Sequence, residues 1–227
     1  MKSFYFIFSL CLLFPIEKIE ILSYHAEFKN IGAGTAVMKT TTLDDKKEIL
    51  FSFKANKIID FFYKLHETIL MVINRQNHFL EYINHNSQQG KRIKNHEAYF
   101  DYSNNKIFSK SYTTNLNKKL YNSISIITFL RNQKLTINDR YIFDTYNFGK
   151  IKKIGMKVVN QENIVLNNKT YHCFVLAPFY FNATDEKNKK GNIKLWISKK
   201  EQLPIIIEQT ASFGEIILTL NTIQHEH

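Results

Sequence analysis

The chain has 227 residues, of which 44% are hydrophobic and 14% aromatic. This size and composition support one folded domain with a sizeable core, and they argue against two full domains or a disordered chain. The formal net charge is +11, but lysine carries nearly all of it because the chain has only four arginines. Nucleic-acid recognition favours clustered arginines, so this dispersed charge does not predict a nucleic-acid partner.

The N-terminus has the features of an export signal. Lys2 precedes an apolar stretch of 11 residues from Phe4 to Phe14. That length suits the apolar region of a signal peptide and is well short of the roughly 20 residues that cross a bilayer. Because no clear cleavage site follows, we expect residues 1–21 to be a signal peptide or an uncleaved anchor. Residues 22–223 would then form a single β-rich domain, and residues 224–227 a tail.

The cysteine content predicts a fold without an internal disulfide. Cys11 lies in the apolar stretch, so Cys173 alone remains if the signal is removed. His172 and Cys173 are adjacent and would point to opposite faces of a strand, which prevents them from acting together as base and nucleophile. We therefore expect Cys173 to be a small core residue.

The octet "NIGAGTAV", Asn30 to Val37, follows the first alternating segment, "ILSYHAEFKN". Its two glycines resemble the start of a dinucleotide fingerprint, but Val37 occupies the position of the third glycine. The β-branched continuation "TAVMKTTT" offers no helix N-terminus to a phosphate. The octet therefore predicts a bulged hairpin turn, in which Gly34 supplies a positive φ, and no nucleotide cofactor.

The rest of the chain reads as short β-branched or aromatic segments separated by polar turns. Two segments instead show helical spacing. The first predicts a short helix that leads into a strand, and its apolar positions are Ile58, Phe62, Leu65 and Ile69. The second predicts one helix, and its apolar positions are Leu120, Ile124, Ile127 and Leu130. Asn115 or Asn117 could cap the second helix. The pattern predicts a mainly antiparallel β fold, either an open or spiral barrel or a curved sandwich, with one or two short helices closing an end.

The sequence contains no recognisable catalytic or metal-binding motif. His66-Glu67 and His96-Glu97 both lack the second histidine that a zincin helix requires, so we expect ordinary strand or turn positions. No cofactor, metal or catalytic residue is predicted. The abundant aromatic residues have two interpretations, filling the core or lining a ligand cavity, and the core is favoured because inward-facing strand positions need such residues in any case.

Several ordered segments support a resemblance to a bacterial family. The early "AGTA" turn, Leu130-Arg131 at a helix end, the strands "KTYHCFVLAPF" and "NIKLWISKKEQLP", and the closing "GEIILTL" occur in the order typical of domain of unknown function 3108. The resemblance covers roughly residues 22 to 222. Its motif positions are Gly34, Arg131, Cys173, Trp196, Ser198, Pro204 and Gly214. The family implies an exported, β-rich envelope protein and provides no catalytic or ligand-binding residues.

Two of these positions allow a structural interpretation. Arg131 at a helix end could satisfy terminal carbonyls and complement the helix dipole, or it could form a buried ion pair. Trp196 alternates with Leu195 and Ile197, so its strand is apolar on both faces and is predicted to be central in the sheet.

We therefore expect an exported protein in the periplasm of a Gram-negative-type bacterium, either free or anchored to the membrane by residues 4–14. The leading hypothesis is a non-enzymatic binder of a lipid, another apolar ligand or an envelope protein partner, which contributes to envelope maintenance. A hydrolase or transferase acting on envelope polymers, and a purely structural scaffold, are the alternatives. Membrane contact is expected only through an uncleaved N-terminus.

Overall fold

A computed structural model describes residues 17–179, 193–211 and 214–226. The first eight strands are β1 Lys18–Phe28, β2 Ile31–Thr42, β3 Lys46–Ala55, β4 Leu65–Asn74, β5 Leu80–Gln89, β6 Arg92–Asp101, β7 Lys106–Ser109 and β8 Tyr112–Asn115. The others are β9 Leu120–Tyr121, β10 Arg140–Asn147, β11 Lys150–Leu166, β12 Lys169–Phe179, β13 Ile193–Ser198, β14 Pro204–Ala211 and β15 Gly214–Glu226. The helices are α1 Lys57–Phe62 and α2 Ser123–Arg131.

All the strands belong to one sheet, ordered β8-β7-β6-β5-β4-β3-β2-β1-β15-β14-β13-β12-β11-β10-β9. Two runs of neighbouring strands therefore meet where β1 pairs with β15. Every pair is antiparallel except the short parallel pair of β9 and β10. The prediction of a mainly antiparallel β fold with two short helices is confirmed. The sheet is not closed into a barrel, because β8 and β9 remain its edges.

The sheet extends past both domain boundaries expected from the sequence. Ile19 in β1 pairs with Glu226 in β15, so residues 18–21 and 224–226 belong to strands. The apolar stretch at residues 4–14 lies outside the described residues. The two helices have six and nine residues, and no helix in the described part of the chain is long and apolar enough to cross a membrane.

The first hairpin differs in detail from the prediction. Its turn is formed by Lys29 and Asn30, which have φ values of 50° and 62°, while Gly32 and Gly34 lie inside β2. The pairing of β1 with β2 shifts register between Ala26 and Glu27, so a bulge is present. The bulged hairpin is thus confirmed and Gly34 does have a positive φ, of 157°, but it lies beside the bulge and not in the turn. Asparagine tolerates the left-handed region well enough to make the turn without glycine.

Gly34 has a different structural role. A Cβ atom at this position would lie 2.2 Å from the Lys54 carbonyl oxygen and 2.8 Å from the Ala55 Cα. Glycine is therefore required because backbone atoms of the paired strand β3 lie where the Cβ atom of any other residue would be.

Both helices begin at asparagine caps. The Asn56 side chain accepts from the Ile59 amide at 2.9 Å, and Asn122 forms a capping box with Ser125. The predicted caps Asn115 and Asn117 are wrong, because β9 separates them from the helix. The first helical segment was predicted to be a short helix that leads into a strand, and α1 is followed by β4, which contains Leu65 and Ile69.

Helix α2 packs against the inner face of the sheet, which we define as the face that carries the buried side chains. Six of its nine residues are buried: Ile124, Ser125, Ile126, Ile127, Thr128 and Leu130. The Phe129 ring packs edge-on against Phe143 of β10 at 5.6 Å and against His78 of the β4–β5 turn at 5.8 Å. The helix thus contacts both halves of the sheet.

The role of Gly34 can be tested by comparison with Gly32. We expect Gly34→Ala to lower the free energy of unfolding by about 2 to 3 kcal/mol, since the added methyl group overlaps fixed backbone atoms. Gly32→Ala is the matched control, because its Cβ would meet only the His25 ring at 3.5 Å. Urea unfolding of both variants measures the difference, and equal stabilities would contradict the assigned role.

Candidate functional site

A cavity of about 210 Å³ lies on the inner face, at the end of the sheet that carries α1 and the β10–β11 turn. We call it the inner pocket. Its lining comes from β3 to β6, the β10–β11 turn, β14 and β15. The lining residues are Phe51, Phe53, Leu65, Glu67, His85, Ser87, Gln89, Arg92, Lys94, Asn147, Phe148, Gln209, Thr210, Ile216 and Leu218.

Strand register brings the polar lining residues together. Phe53, Glu67, Ser87 and Lys94 pair in sequence across β3, β4, β5 and β6. Paired residues share a face, with Cβ atoms about 5 Å apart. The lining therefore changes from an aromatic ring to a carboxylate, a hydroxyl and an ammonium group across four adjacent strands.

Glu67 and His85 are hydrogen-bonded inside the pocket. His85 Nε2 lies 2.7 Å from Glu67 Oε1, and the imidazole stacks on the Phe148 ring with centroids 4.1 Å apart. The histidine is only 3% exposed, and its Nδ1 is buried with no hydrogen-bond partner among the described residues. Neither ring nitrogen is presented to a ligand, so His85 is poorly placed to exchange a proton with a substrate.

The pocket has a cationic side and an apolar side. Arg92 and Lys94 contribute the positive charges, and Lys94 Nζ lies 4.9 Å from the centroid of the Phe148 ring. The facing wall is formed by the apolar side chains Phe51, Phe53, Leu65, Ile216 and Leu218. This arrangement suits a small molecule with an apolar body and a negatively charged group.

Three side chains connect the halves of the sheet beside the pocket. The buried Tyr146 hydroxyl of β10 lies 2.7 Å from His96 Nε2 of β6 and 2.7 Å from the Tyr112 hydroxyl of β8. Burial, and then the contact with Tyr112, raise the pKa of Tyr146, so its hydroxyl stays protonated. We call these three residues the tyrosine clasp. It holds the β10–β11 turn, and with it Phe148, over the pocket.

Arg131 forms an ion pair at the opposite end of the sheet. Its guanidinium donates to Glu20 of β1 at 2.7 and 2.9 Å, and its Nε donates to the Gln202 carbonyl at 2.6 Å. Burial raises the pKa of Glu20, but the hydrogen bonds and charge of Arg131 outweigh this effect and leave the pKa below its usual value. The guanidinium thus contacts β1 and the β13–β14 turn.

The family-motif residues gather mainly around the β13–β14 turn. Ser198 Oγ accepts from the Leu203 amide at 3.2 Å, and the Pro204 carbonyl accepts from the Tyr24 hydroxyl at 3.2 Å. Cys173 pairs with Ser198 across β12 and β13. Cys173 is buried, and burial first, followed by nearby carboxylates, raises the pKa of its thiol to about 11. This thiol is therefore inert at neutral pH.

The remaining motif residues lie in strands of the sheet. Trp196 donates to Glu162 Oε2 at 2.8 Å and lies in β13, which has neighbours on both sides. Gly34 lies in β2, and Gly214 begins β15. None of the seven motif residues lines the inner pocket.

The pocket residues were missed because they belong to no local motif. His85 and Ser87 do carry one signal, since both are polar side chains at inward positions of an alternating strand. No group of three or more histidine, cysteine, aspartate or glutamate side chains that could hold a metal occurs in the described ranges.

The structure defines a single-sheet antiparallel β protein with a small amphipathic pocket on its inner face. Residues 23–221 match the family model described as "Protein of unknown function (DUF3108)", so the chain belongs to this family, as the resemblance predicted. No curated protein matches the sequence. A crystal structure of a DUF1329 family protein from Desulfovibrio piger is similar over 93% of this chain and 86% of that chain, with 7% identity and a TM-score of 0.24. This TM-score is too low to support an inference about the present chain.

A buried histidine near the Arg131 end provides a test of the packing there. His78, in the β4–β5 turn, is 3% exposed, and its Nε2 lies 3.3 Å from Asn132 Nδ2. Burial, followed by repulsion from Lys47, lowers the pKa of His78 to about 4. The folded protein therefore keeps this imidazole neutral.

Because the unfolded chain protonates His78 near pH 6.5, its contribution to stability is complete above that pH and is lost as the pH falls toward 4. The loss should reach roughly 3 kcal/mol. We expect His78→Gln to flatten the fall of the unfolding free energy between pH 6.5 and 4.5, as measured by urea titration. His172→Gln, at an exposed position, should leave the slope unchanged. The same slope in wild type and His78→Gln would exclude this account.

Proposed function

We propose that the protein is a non-enzymatic, exported binding protein of the bacterial envelope, which holds a small amphipathic anion in its inner pocket. The observation that carries the proposal is the pocket itself, a cavity of about 210 Å³ with an apolar wall facing Arg92 and Lys94. The export signal expected at residues 1–21 supports the location.

The size of the cavity narrows the class of ligand. A cavity of about 150 Å³ accommodates a benzene molecule, and pockets for drug-sized ligands are about 300 to 1,000 Å³. The inner pocket lies between these values. It therefore suits one short acyl chain or a small aromatic acid, and it is too small for a complete two-chain lipid.

The site favours binding over catalysis. An enzyme acting on envelope polymers needs titratable groups that converge and also reach the substrate. Glu67 and His85 do converge. However, Nε2 of His85 is hydrogen-bonded to Glu67, and Nδ1 is buried away from the cavity surface. The amphipathic lining of the cavity also favours a binder over a purely structural scaffold.

Ligand chemistry can be tested with saturated carboxylates of increasing chain length, by calorimetry on the full chain. Each methylene group buried against the apolar wall should raise the affinity about fourfold, from roughly 0.8 kcal/mol per methylene. The gain should stop when the cavity is full. An affinity that is independent of chain length, or no binding of any carboxylate to the folded protein, would contradict the proposal.

Charge recognition is tested by the double variant Arg92→Gln/Lys94→Gln. It should weaken carboxylate binding at least about tenfold, because a hydrogen bond to a charged group contributes roughly 1.5 to 3 kcal/mol. Binding of the straight-chain alcohol of equal length is the internal control and should be unchanged. Gln89→Phe, which fills the pocket from a partly exposed position, should weaken both ligands.

The natural ligand can be identified by native mass spectrometry and lipid extraction of protein purified from its own envelope. A co-purified small acid would support the proposal. A co-purified protein, with the pocket empty, would favour the envelope-partner alternative.

A further inference from the structure

Helix α1 presents an exposed apolar surface at the end of the sheet that carries the inner pocket. Ile58, Phe61 and Phe62 are 70%, 83% and 80% exposed. The two phenylalanine rings contact each other edge-on, with centroids 5.1 Å apart. We call these three residues the aromatic tip. The helical spacing of Ile58 and Phe62 predicts apolar side chains that face the core. In the structure both side chains face solvent.

The tip is held firmly although none of the residues of α1 is buried. The Asn56 side chain donates to the Gly32 carbonyl at 2.5 Å, and the Asn56 amide donates to Ala33 at 2.9 Å. At the other end of α1, the Gly90 amide donates to the Lys64 carbonyl at 2.7 Å. The fold thus fixes the helix through backbone and capping contacts and through Ile59, which packs against the core, while the three side chains of the aromatic tip face solvent. Such exposed apolar clusters mark interaction sites.

Positive charge surrounds the tip. Exposed cationic side chains come from the end of β3, from α1 and its following residues, and from the β5–β6 turn. They are Lys54, Lys57, Lys64, Lys91 and Arg92. The acidic residue within α1 is Asp60, and its carboxylate already contacts Lys64 at 2.8 Å and His66 at 2.6 Å.

We infer that the aromatic tip docks the protein onto an anionic lipid surface. The phenylalanine rings and Ile58 would enter the boundary between headgroups and acyl chains, while the surrounding cations contact the negative headgroups. Aromatic side chains projecting from a cationic rim are suited to this interface, where each kind of group meets its preferred surroundings.

Two other occupants fit less well. A second copy of the chain would bring two cationic rims together and create repulsion. A stable protein partner needs about 800 Å² on each side, and three side chains on a six-residue helix provide much less. A lipid surface needs neither a matching shape nor a large area.

The docking surface is independent of the ligand proposal, although the two are neighbours. Leu65 and Arg92 line the inner pocket and also flank the tip, so docking would turn the mouth of the pocket toward the membrane. This contact would be additional to any anchoring by an uncleaved N-terminus.

Vesicle flotation of the full chain tests the inference. Wild type should bind vesicles of phosphatidylcholine with phosphatidylglycerol more tightly than vesicles of phosphatidylcholine alone. Phe61→Ser/Phe62→Ser should reduce binding about 100-fold, at about tenfold for each ring removed from the apolar phase. The control Ile142→Ser/Val165→Ser removes exposed apolar side chains elsewhere and should bind like wild type. All variants keep the same N-terminus, so the difference reports the tip alone.

Two further variants test separately the insertion of aromatic side chains into the membrane and the attraction of the cations to negative headgroups. Phe62→Trp should shift its fluorescence emission to shorter wavelength on vesicle binding, against the buried Trp196 as a constant background. Lys57→Glu/Lys91→Glu should lose the preference for phosphatidylglycerol. Wild-type binding by the double serine variant, or an unchanged tryptophan spectrum on bound vesicles, would overturn the inference. Phe61→Ser/Phe62→Ser should bind carboxylates like wild type, because neither ring lines the inner pocket, and this distinguishes failure of the inference from failure of the ligand proposal.

Discussion

The structure depends on covering the apolar inner face of a sheet that does not close into a barrel. A sheet buries its apolar face against another layer, and this chain has no second sheet within its described residues to provide one. Helix α2 supplies part of that layer, and buried side chains of the strands supply the rest. Leu130 and Ile127 are almost completely buried, and Phe129 packs against residues from distant parts of the sheet.

The two ends of the inner face are closed differently. At the α2 end, Arg131 connects the helix to β1 through Glu20 and to the β13–β14 turn through Gln202. Removing either partner of such a half-buried ion pair leaves a charge without compensation, so the pair fixes the helix position. At the α1 end, the tyrosine clasp connects β6 and β8 to β10, and the space beneath Phe148 remains as the inner pocket. The pocket is therefore the part of the interior that α2 does not reach.

Much of the fold, but little of the site, follows from the sequence. Alternation and turn residues identified most strands, and burial of Ile124, Ile127 and Leu130 matches the helical spacing of α2. The short helix that leads into a strand is present as α1 and β4, but Ile58 and Phe62 of this helix face solvent and not the core. Only the register of β4 with β5, which shifts at a bulge after Val72, places Glu67 beside His85. No local pattern determines that register, so the pair could not be found from the sequence.

The net charge of +11 takes on a more specific meaning in three dimensions. Composition alone could not distinguish a functional charge from codon bias, since the lysines are spread along the chain. The turns at one end of the sheet bring Lys57, Lys91 and Arg92 around an exposed pair of phenylalanine rings. Arg92 also belongs to the cationic side of the inner pocket. A membrane surface is where molecules with an apolar body and a negative group are concentrated, so one end of the sheet combines a surface suited to docking there with a pocket suited to such molecules.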